Sequence, residues 1–472
     1  MRKTKIICTL GPAVDDEGTI KDLILGGMNA ARFNFSHGTH ASHLAQLDKL
    51  RKVRSDLGLP IATIMDTKGP EIRIKTFENG PVTLNAGGEF ILTTEDVPGD
   101  ERRVSVTYDN LHAELTQGCR ILLDDGLIEL QVNEIKDKEI FCEVKNGGIL
   151  SSNKSVNIPA VQFLLPSLTP KDEEDLRFAV EQSFDFIAAS FIRKASDVED
   201  IRRTLKKYGG DDISIIAKIE NRQGVDNLND IIDASDGIMV ARGDLGVEIP
   251  AYEVPIIQKK IISATVEQGK PVIIATQMLD SMIRNPRATR AEVSDVANAV
   301  FDGASCVMLS GETASGKYPL AALETLMQTV RAAEESTNYW GRFRKASYRT
   351  SGSVNDAISH SCCLTAMDLN ASAILTATAS GRTARMISRY RPACPVVALT
   401  PRREVCRKLA LVWGVFPYLS ETVESTDQLF SLCVERGVQE NMVQPGETVV
   451  ITAGIPIGKS GSTNLIKVEI AR

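Results

Sequence analysis

The chain is short of aromatic residues and short of positive charge. Phe, Trp and Tyr make up 5% of its 472 residues, with two tryptophans and five histidines. Lys and Arg number 54 against 61 Asp and Glu, a net charge of −7. A chain with few rings to stack on bases and no cationic surplus is poorly built for nucleic acid. Any phosphate it binds must be held by cations gathered locally or by metal ions. Apolar runs approaching the roughly 18 residues of a membrane span are also missing, and the apolar part of Met1–Leu10 is too short for a signal peptide. There is no CxxC pair. Nine cysteines, odd in number and scattered, read as reduced buried thiols in a cytoplasmic protein. Low-complexity tracts and short-period repeats are absent as well. What remains is ordinary globular composition, 43% hydrophobic and 24% charged, on a chain long enough for two or three domains.

Eight short apolar runs alternate with amphipathic stretches. They are Lys5–Thr9, Ala30–Phe35, Ile61–Asp66, Phe184–Ser190, Ile213–Ile219, Gly237–Ala241, Pro271–Thr276 and Cys306–Ser310. Helical patterns such as Ala195–Tyr208, Glu253–Gln268 and Arg290–Phe301 lie between them. Near-continuous apolar strands separated by helices predict a parallel sheet covered on both faces, and eight such units suit a closed (β/α)8 TIM barrel. The stretch from about Pro70 to Leu168 differs. Its short alternating segments (Arg103–Thr107, Arg120–Leu123, Glu139–Val144) and Gly/Asn turns predict an all-β domain inserted after the third strand, placed to act as a lid. From Phe343 onward, strands and helices alternate again as a separate α/β domain. The expected division is therefore barrel at 1–69 and 169–342, lid at 70–168, and C-terminal α/β domain at 343–472.

Barrel chemistry collects at the C-terminal ends of the strands, and six of the eight runs end in polar groups. The second ends Arg32-Phe-Asn34-Phe-Ser36-His37, the third Asp66-Thr67-Lys68-Gly-Pro-Glu71-Ile-Arg73, and the fifth Lys218-Ile-Glu220. The sixth ends Arg242-Gly243-Asp244, the seventh Thr276-Gln277, and the eighth Ser310-Gly311-Glu312. Lys218 and Glu220 are two apart on a strand and point the same way. They form either a salt-bridged rim or a cation beside a metal-binding carboxylate. Glu220 and Asp244 match the one or two carboxylates that Mg²⁺ takes alongside water and substrate oxygens. Lys218 and Arg32 would then neutralise a phosphoryl group in transfer. Gly311–Lys317 fits G-x-x-x-x-G-K, but Tyr318 stands where a P-loop needs Ser or Thr, so this segment is read as closing the eighth strand. Thr378-Ala-Ser380-Gly381-Arg382-Thr383, between a strand and a helix, is either a candidate anion loop or an ordinary capped turn.

The segments Ala31–Gly38, Met65–Arg73, Ile216–Asn221, Asp236–Gly246, Ala275–Met282 and Met308–Ala314 together resemble the pyruvate kinase family, in order and over essentially the whole chain. The resemblance implies transfer of the phosphoryl group of phosphoenolpyruvate to ADP, giving pyruvate and ATP in glycolysis. It implies Mg²⁺ (or Mn²⁺) at Glu220 and Asp244, with a second Mg²⁺ arriving with ADP. K⁺ would sit at Asn34, Ser36, Asp66 and Thr67, and Glu71 is the residue type of K⁺-dependent members. Catalytic roles fall on Lys218, Arg32, Thr276 and Ser310. Substrate contacts fall on Arg32, Lys218, Gly243, Asp244 and Thr276, and nucleotide contacts on Arg73, His37, Asn34 and Lys194. A phosphorylated activator is expected around Thr378, Ser380, Gly381, Arg382 and Thr383, helped by the Gly458–Thr463 loop. The resemblance further implies a cytoplasmic homotetramer without membrane or nucleic-acid partners, and without the extra C-terminal domain of some bacterial members. Two other readings compete: a metal-dependent barrel lyase or aldolase acting on pyruvate or oxaloacetate, and a catalytically inert regulatory protein. A P-loop ATPase would instead depend on Lys317.

Overall fold

A computed structural model describes residues 1–159, 161, 163–346, 352–423, 425–456 and 463–472. Its centre is a closed barrel of eight parallel strands: β1 (Lys5–Thr9), β2 (Ala30–Asn34), β3 (Ala62–Asp66), β4 (Phe186–Ala189), β5 (Ser214–Ile219), β6 (Gly237–Ala241), β7 (Val272–Ala275) and β8 (Cys306–Leu309). Each pairs with its neighbour in sequence, and β1 closes on β8 with Lys5 opposite Cys306. These strands are buried along nearly their whole length. That explains why they read as apolar runs rather than alternations. The (β/α)8 reading holds, with element ends shifted by at most two residues. One difference bears on the rim: Arg242-Gly243-Asp244, read as the end of the sixth strand, opens a short helix, Arg242–Glu248. The helix Arg290–Asp302 is set by a capping box in which Thr289 and Glu292 satisfy each other's amides.

The lid follows Gly69. This glycine has φ +72°, and a Cβ there would approach Cβ of Ser190 to 2.8 Å. Its six-stranded and two-stranded sheets close on a separate apolar core that includes Phe90, Leu92, Ile121 and Leu130. It is mostly rather than all β, because Leu111–Glu114 forms a helical turn. The lid touches the barrel rim where Asn157 Nδ2 donates to Glu248 Oε1 at 3.1 Å. The Arg193 guanidinium holds the returning strand by the carbonyls of Phe163 and Pro166.

The C-terminal unit is a five-stranded sheet. Its strands are β9 (Ala373–Ala377), β10 (Val396–Thr400), β11 (Val415–Leu419), β12 (Thr448–Gly454) and β13 (Thr463–Ile470), in the order β11-β10-β9-β12-β13 with β13 antiparallel. Its Leu411 joins the apolar residues inside the barrel, among them Ile64, Phe186, Met239 and Met308, and so seals the end opposite the rim. Asp185, buried at that end, accepts from the Thr63 amide and hydroxyl and from Arg407 Nε. No helix among the described residues is long and apolar enough to cross a membrane.

Lys5 lies at the same sealed end. It is 3% exposed, its ammonium donates to the Val415 carbonyl at 2.6 Å, and it sits 4.5 Å from the Phe416 ring centre. Among the described residues no carboxylate pairs with it. Burial, helped by the nearby Arg2 charge, lowers its pKa from 10.5 to about 7. The unfolded chain therefore binds the extra proton between pH 7 and 10.5, and stability must rise with pH across that window. The expected outcome is a wild-type thermal unfolding midpoint that climbs from pH 7 to 9, with a shallower climb in Lys5→Met. Parallel curves for the two proteins would refute the assignment.

Candidate functional site at the barrel rim

The strand ends converge on Asp66, the last residue of β3, which is 1% exposed. One of its oxygens takes Arg32 Nε at 2.6 Å. The other takes Lys218 Nζ at 3.0 Å and the Ser190 hydroxyl at 3.3 Å. Lys218 also reaches Ser190 Oγ at 2.7 Å and Glu220 Oε1 at 2.9 Å. Burial alone would raise the Asp66 pKa, but the guanidinium and the ammonium outweigh it and hold the carboxyl below its usual range. Burial alone would likewise lower Lys218, but Asp66 and Glu220 hold it above the usual lysine value. The rim thus keeps the Lys218 ammonium charged in a buried place.

Glu220 is less comfortable. Burial pushes it up to about 7, and the neighbouring Asp244 charge adds to the rise while Lys218 opposes it. Its second oxygen accepts the Phe191 amide at 2.6 Å. Asp244 is raised too, by burial first and then by Asp125 of the lid and by Glu71, with Lys218 opposing. Two buried carboxylates that repel each other, with hard oxygen donors and room for few protein ligands, fit a divalent cation. Among the described residues no group of three or more His, Cys, Asp or Glu could hold a metal by itself. Such an ion would therefore complete its shell with water and substrate.

The remaining candidates divide. Asn34 stands in register with Asp66 on the adjacent strand, and its side-chain oxygen accepts the Ser36 amide. Thr67 is buried beside Ser190, whose amide it accepts. With Ser36 these form an all-oxygen set carrying one carboxylate, suited to a monovalent cation. Arg73 makes a two-pronged pair with Glu71 at 2.6 and 2.9 Å and faces the lid cleft. His37 is exposed, its carbonyl held by His43. Thr276 accepts the Gly243 amide at 2.7 Å. Ser310 Oγ is buried with no hydrogen-bond partner among the described residues, open to a water or a ligand. Lys194 is not drawn into the rim network. It is exposed at the start of the helix Ala195–Lys207, where its carbonyl accepts the Asp197 amide, and among the described residues its side chain makes no hydrogen bond or ion pair. A cavity of about 350 Å³ between lid and rim is lined by Glu71, Arg73, Asp125, Phe191, Asp244 and Glu248, among others.

Thr9 and Ser190 were missed at the sequence level. Thr9 ends β1 and accepts from Arg32 Nη1 at 3.1 Å, and Ser190 follows β4. These belong to the two runs whose ends were not read. Reading all eight ends would have found both.

In the C-terminal unit, Thr378 Oγ1 accepts the Gly381 amide, Arg382 is exposed, and Thr383 Oγ1 meets Thr463 Oγ1 at 2.6 Å. The loop carrying Ser380 leaves β9, whose two neighbours β10 and β12 lie on opposite sides. Such a switch point is where open α/β sheets bind ligands. Residues 458–462 of the second expected loop lie outside the described residues.

A closed barrel with a lid inserted after β3, and with buried cations and carboxylates gathered on one rim, defines a lidded barrel enzyme. Residues 1–323 match the family described as "Pyruvate kinase, barrel domain" and residues 356–469 that described as "Pyruvate kinase, alpha/beta domain". The chain is 48% identical over its whole length to a pyruvate kinase of Clostridium acetobutylicum, covering all of that protein. It is 49% identical to one of Staphylococcus saprophyticus, covering 80% of it. It superposes on the crystal structure of a pyruvate kinase from Cryptosporidium parvum with TM-score 0.95 at 38% identity, covering all of this chain and 96% of that one. The chain belongs to the pyruvate kinase family.

The Gly311–Lys317 segment is not a phosphate loop. It folds into a helical turn, Gly311–Ala314, in which buried Glu312 accepts the amides of Leu279 at 3.0 Å and Ser310 at 2.7 Å, tying the ends of β7 and β8 together. Lys317 is exposed. Glu312→Ala should cost about 2–4 kcal/mol by orphaning two amides, seen as a lower thermal unfolding midpoint. Lys317→Met should change neither stability nor turnover, and a loss of turnover there would overturn this reading.

Proposed function

We propose that the chain transfers the phosphoryl group of phosphoenolpyruvate to ADP, yielding pyruvate and ATP. The observation that carries this is the buried pair of cations, Arg32 and Lys218, fixed on Asp66 beside the strained carboxylates Glu220 and Asp244. Phosphoryl transfer asks for positioning and charge neutralisation more than for a covalent nucleophile. Arg32 binds the phosphoryl group in the ground state, and Lys218 stabilises it in flight. Lys218 stays protonated because Asp66 and Glu220 favour its charged form. Thr276 and the amide of Gly243 hold the substrate carboxylate, and Arg73, His37, Asn34 and Lys194 lie toward the nucleotide. When bound at Glu220 and Asp244, Mg²⁺ (or Mn²⁺) supplies positive charge to the phosphoryl and carboxylate oxygens. K⁺ at Asn34, Ser36, Asp66 and Thr67 adds positive charge beside it. The product enolate must then be protonated at carbon. Thr276 and the unpartnered Ser310 hydroxyl order the water that delivers this proton.

The division into a catalytic barrel (1–69 and 169–342), a lid (70–168) and a regulatory unit (343–472) is proposed as functional. The lid closes over the cleft. The β9 loop, through Ser380, Arg382 and Thr383, takes a phosphorylated activator. The family further supports a homotetramer working in the cytoplasm, in glycolysis.

A coupled assay for ATP from phosphoenolpyruvate and ADP, with and without Mg²⁺ and K⁺, tests the reaction. In Lys218→Met, ATP formation should fall by at least about 10³-fold, while exchange of the pyruvate methyl protons with D₂O continues. Equal loss of both would sink the division of labour. Glu220→Gln should weaken Mn²⁺ binding at least about tenfold, as read by electron paramagnetic resonance titration. Unchanged binding would move the metal elsewhere.

A further inference from the structure

At the end of β7 two consecutive residues without the freedom of glycine, Thr276 and Gln277, have φ +68° and +55°. A β-branched residue in the left-handed region is a strained outlier, and such strain persists only where the surroundings enforce it. The enforcing group is Arg242. Its Nη2 donates to the Thr276 carbonyl at 2.9 Å and lies 3.0 Å from Met278 Sδ, so it bridges the two ends of the strained turn. The guanidinium is itself fixed. Nη1 and Nη2 face the two oxygens of Asp295, on the helix Arg290–Asp302, at 2.8 and 2.7 Å. The side chain is 11% exposed, and such a two-pronged pair orients a guanidinium as well as binding it. The consequence is felt on the other side of Thr276. With its carbonyl held, its hydroxyl accepts the Gly243 amide at 2.7 Å and donates to the Ala275 carbonyl at 2.6 Å. Arg242, Asp295 and Gln277 also line a cleft shared with Gly243 and Asp244, so the clamp adjoins the rim site.

We infer that Arg242, anchored by Asp295, is a positioning residue that acts through Thr276: it holds the left-handed Thr276–Gln277 turn and thereby aims the hydroxyl that receives the substrate carboxylate. The inference rests on the proposed carboxylate site. Lysine cannot replace this arginine, because one ammonium does not span a carbonyl and a carboxylate with a planar fork.

The test is a kinetic cycle on the full chain with four proteins: wild type, Thr276→Ala, Arg242→Gln and the double variant. Thermal unfolding is followed in parallel. Arg242→Gln should raise KM for phosphoenolpyruvate about tenfold in the wild-type background, and Arg242→Lys should not restore it. In the Thr276→Ala background the same change should cost less than about twofold, because the group it positions is gone. KM for ADP should stay within about twofold throughout. An equal cost in both backgrounds, or an equal rise in KM for ADP, would show a merely structural role and overturn the inference. If Arg242→Gln does not fold, Asp295→Asn is read in the same two backgrounds by the same criteria. If Thr276→Ala leaves KM for phosphoenolpyruvate unchanged, the carboxylate site itself is wrong and the clamp's function falls with it. That outcome is distinct from an additive cycle.

Discussion

The rim depends on one interaction, the buried carboxylate of Asp66 held between the guanidinium of Arg32 and the ammonium of Lys218. Each of these charges would be costly alone in that place. Together they are paired, and the Ser190 hydroxyl satisfies part of what remains. The pairing fixes where three strand ends meet, since the residues come from β2, β3 and β5. It also keeps positive charge available where a phosphoryl group would lie. The adjacent Glu220 and Asp244 are left short of positive charge: burial raises both, Asp244 adds to the rise of Glu220, and Asp125 and Glu71 add to that of Asp244. A site with cations already satisfied and carboxylates still wanting a counterion is prepared for an anionic substrate that arrives with a metal.

The two ends of the barrel show the same physics with opposite outcomes. Lys218 at the rim has two carboxylate partners and is held charged. Lys5 at the sealed end has a carbonyl and a ring and is driven toward neutrality. The sealed end is also where Leu411 enters the barrel core and where Arg407 meets Asp185. The C-terminal unit is therefore packed into the barrel by apolar and ionic contacts.

Much of this was legible in the sequence. The eight strands announced themselves because each is buried on both faces, and the lid announced itself by alternation and Gly/Asn turns. The rim residues followed from reading strand ends, and only the ends of β1 and β4 went unread, which hid Thr9 and Ser190. Other features were not legible for physical reasons. Spacing places Asp66, Arg32 and Lys218 at one rim, but which carboxylate pairs with which cation depends on barrel closure. The helix beginning at Arg242 is short, and Gly243 and Asp244 are poor helix formers, so the segment read as the end of the sixth strand. The strain at Thr276 and the grip of Arg242 leave no trace in composition or period. Lys194 had no local cue to show that it stands outside the rim network.

The central claim is that the Asp66 charge organises both cations. The most direct measurement is the turnover of Asp66→Asn, a nearly isosteric change that removes the charge, alongside its thermal unfolding. With the fold retained, turnover should fall at least about 100-fold, since Arg32 would lose its carboxylate and Lys218 one of its two, and the cations would shift from their positions. Turnover within about threefold of wild type would contradict the account and place the organising charge elsewhere.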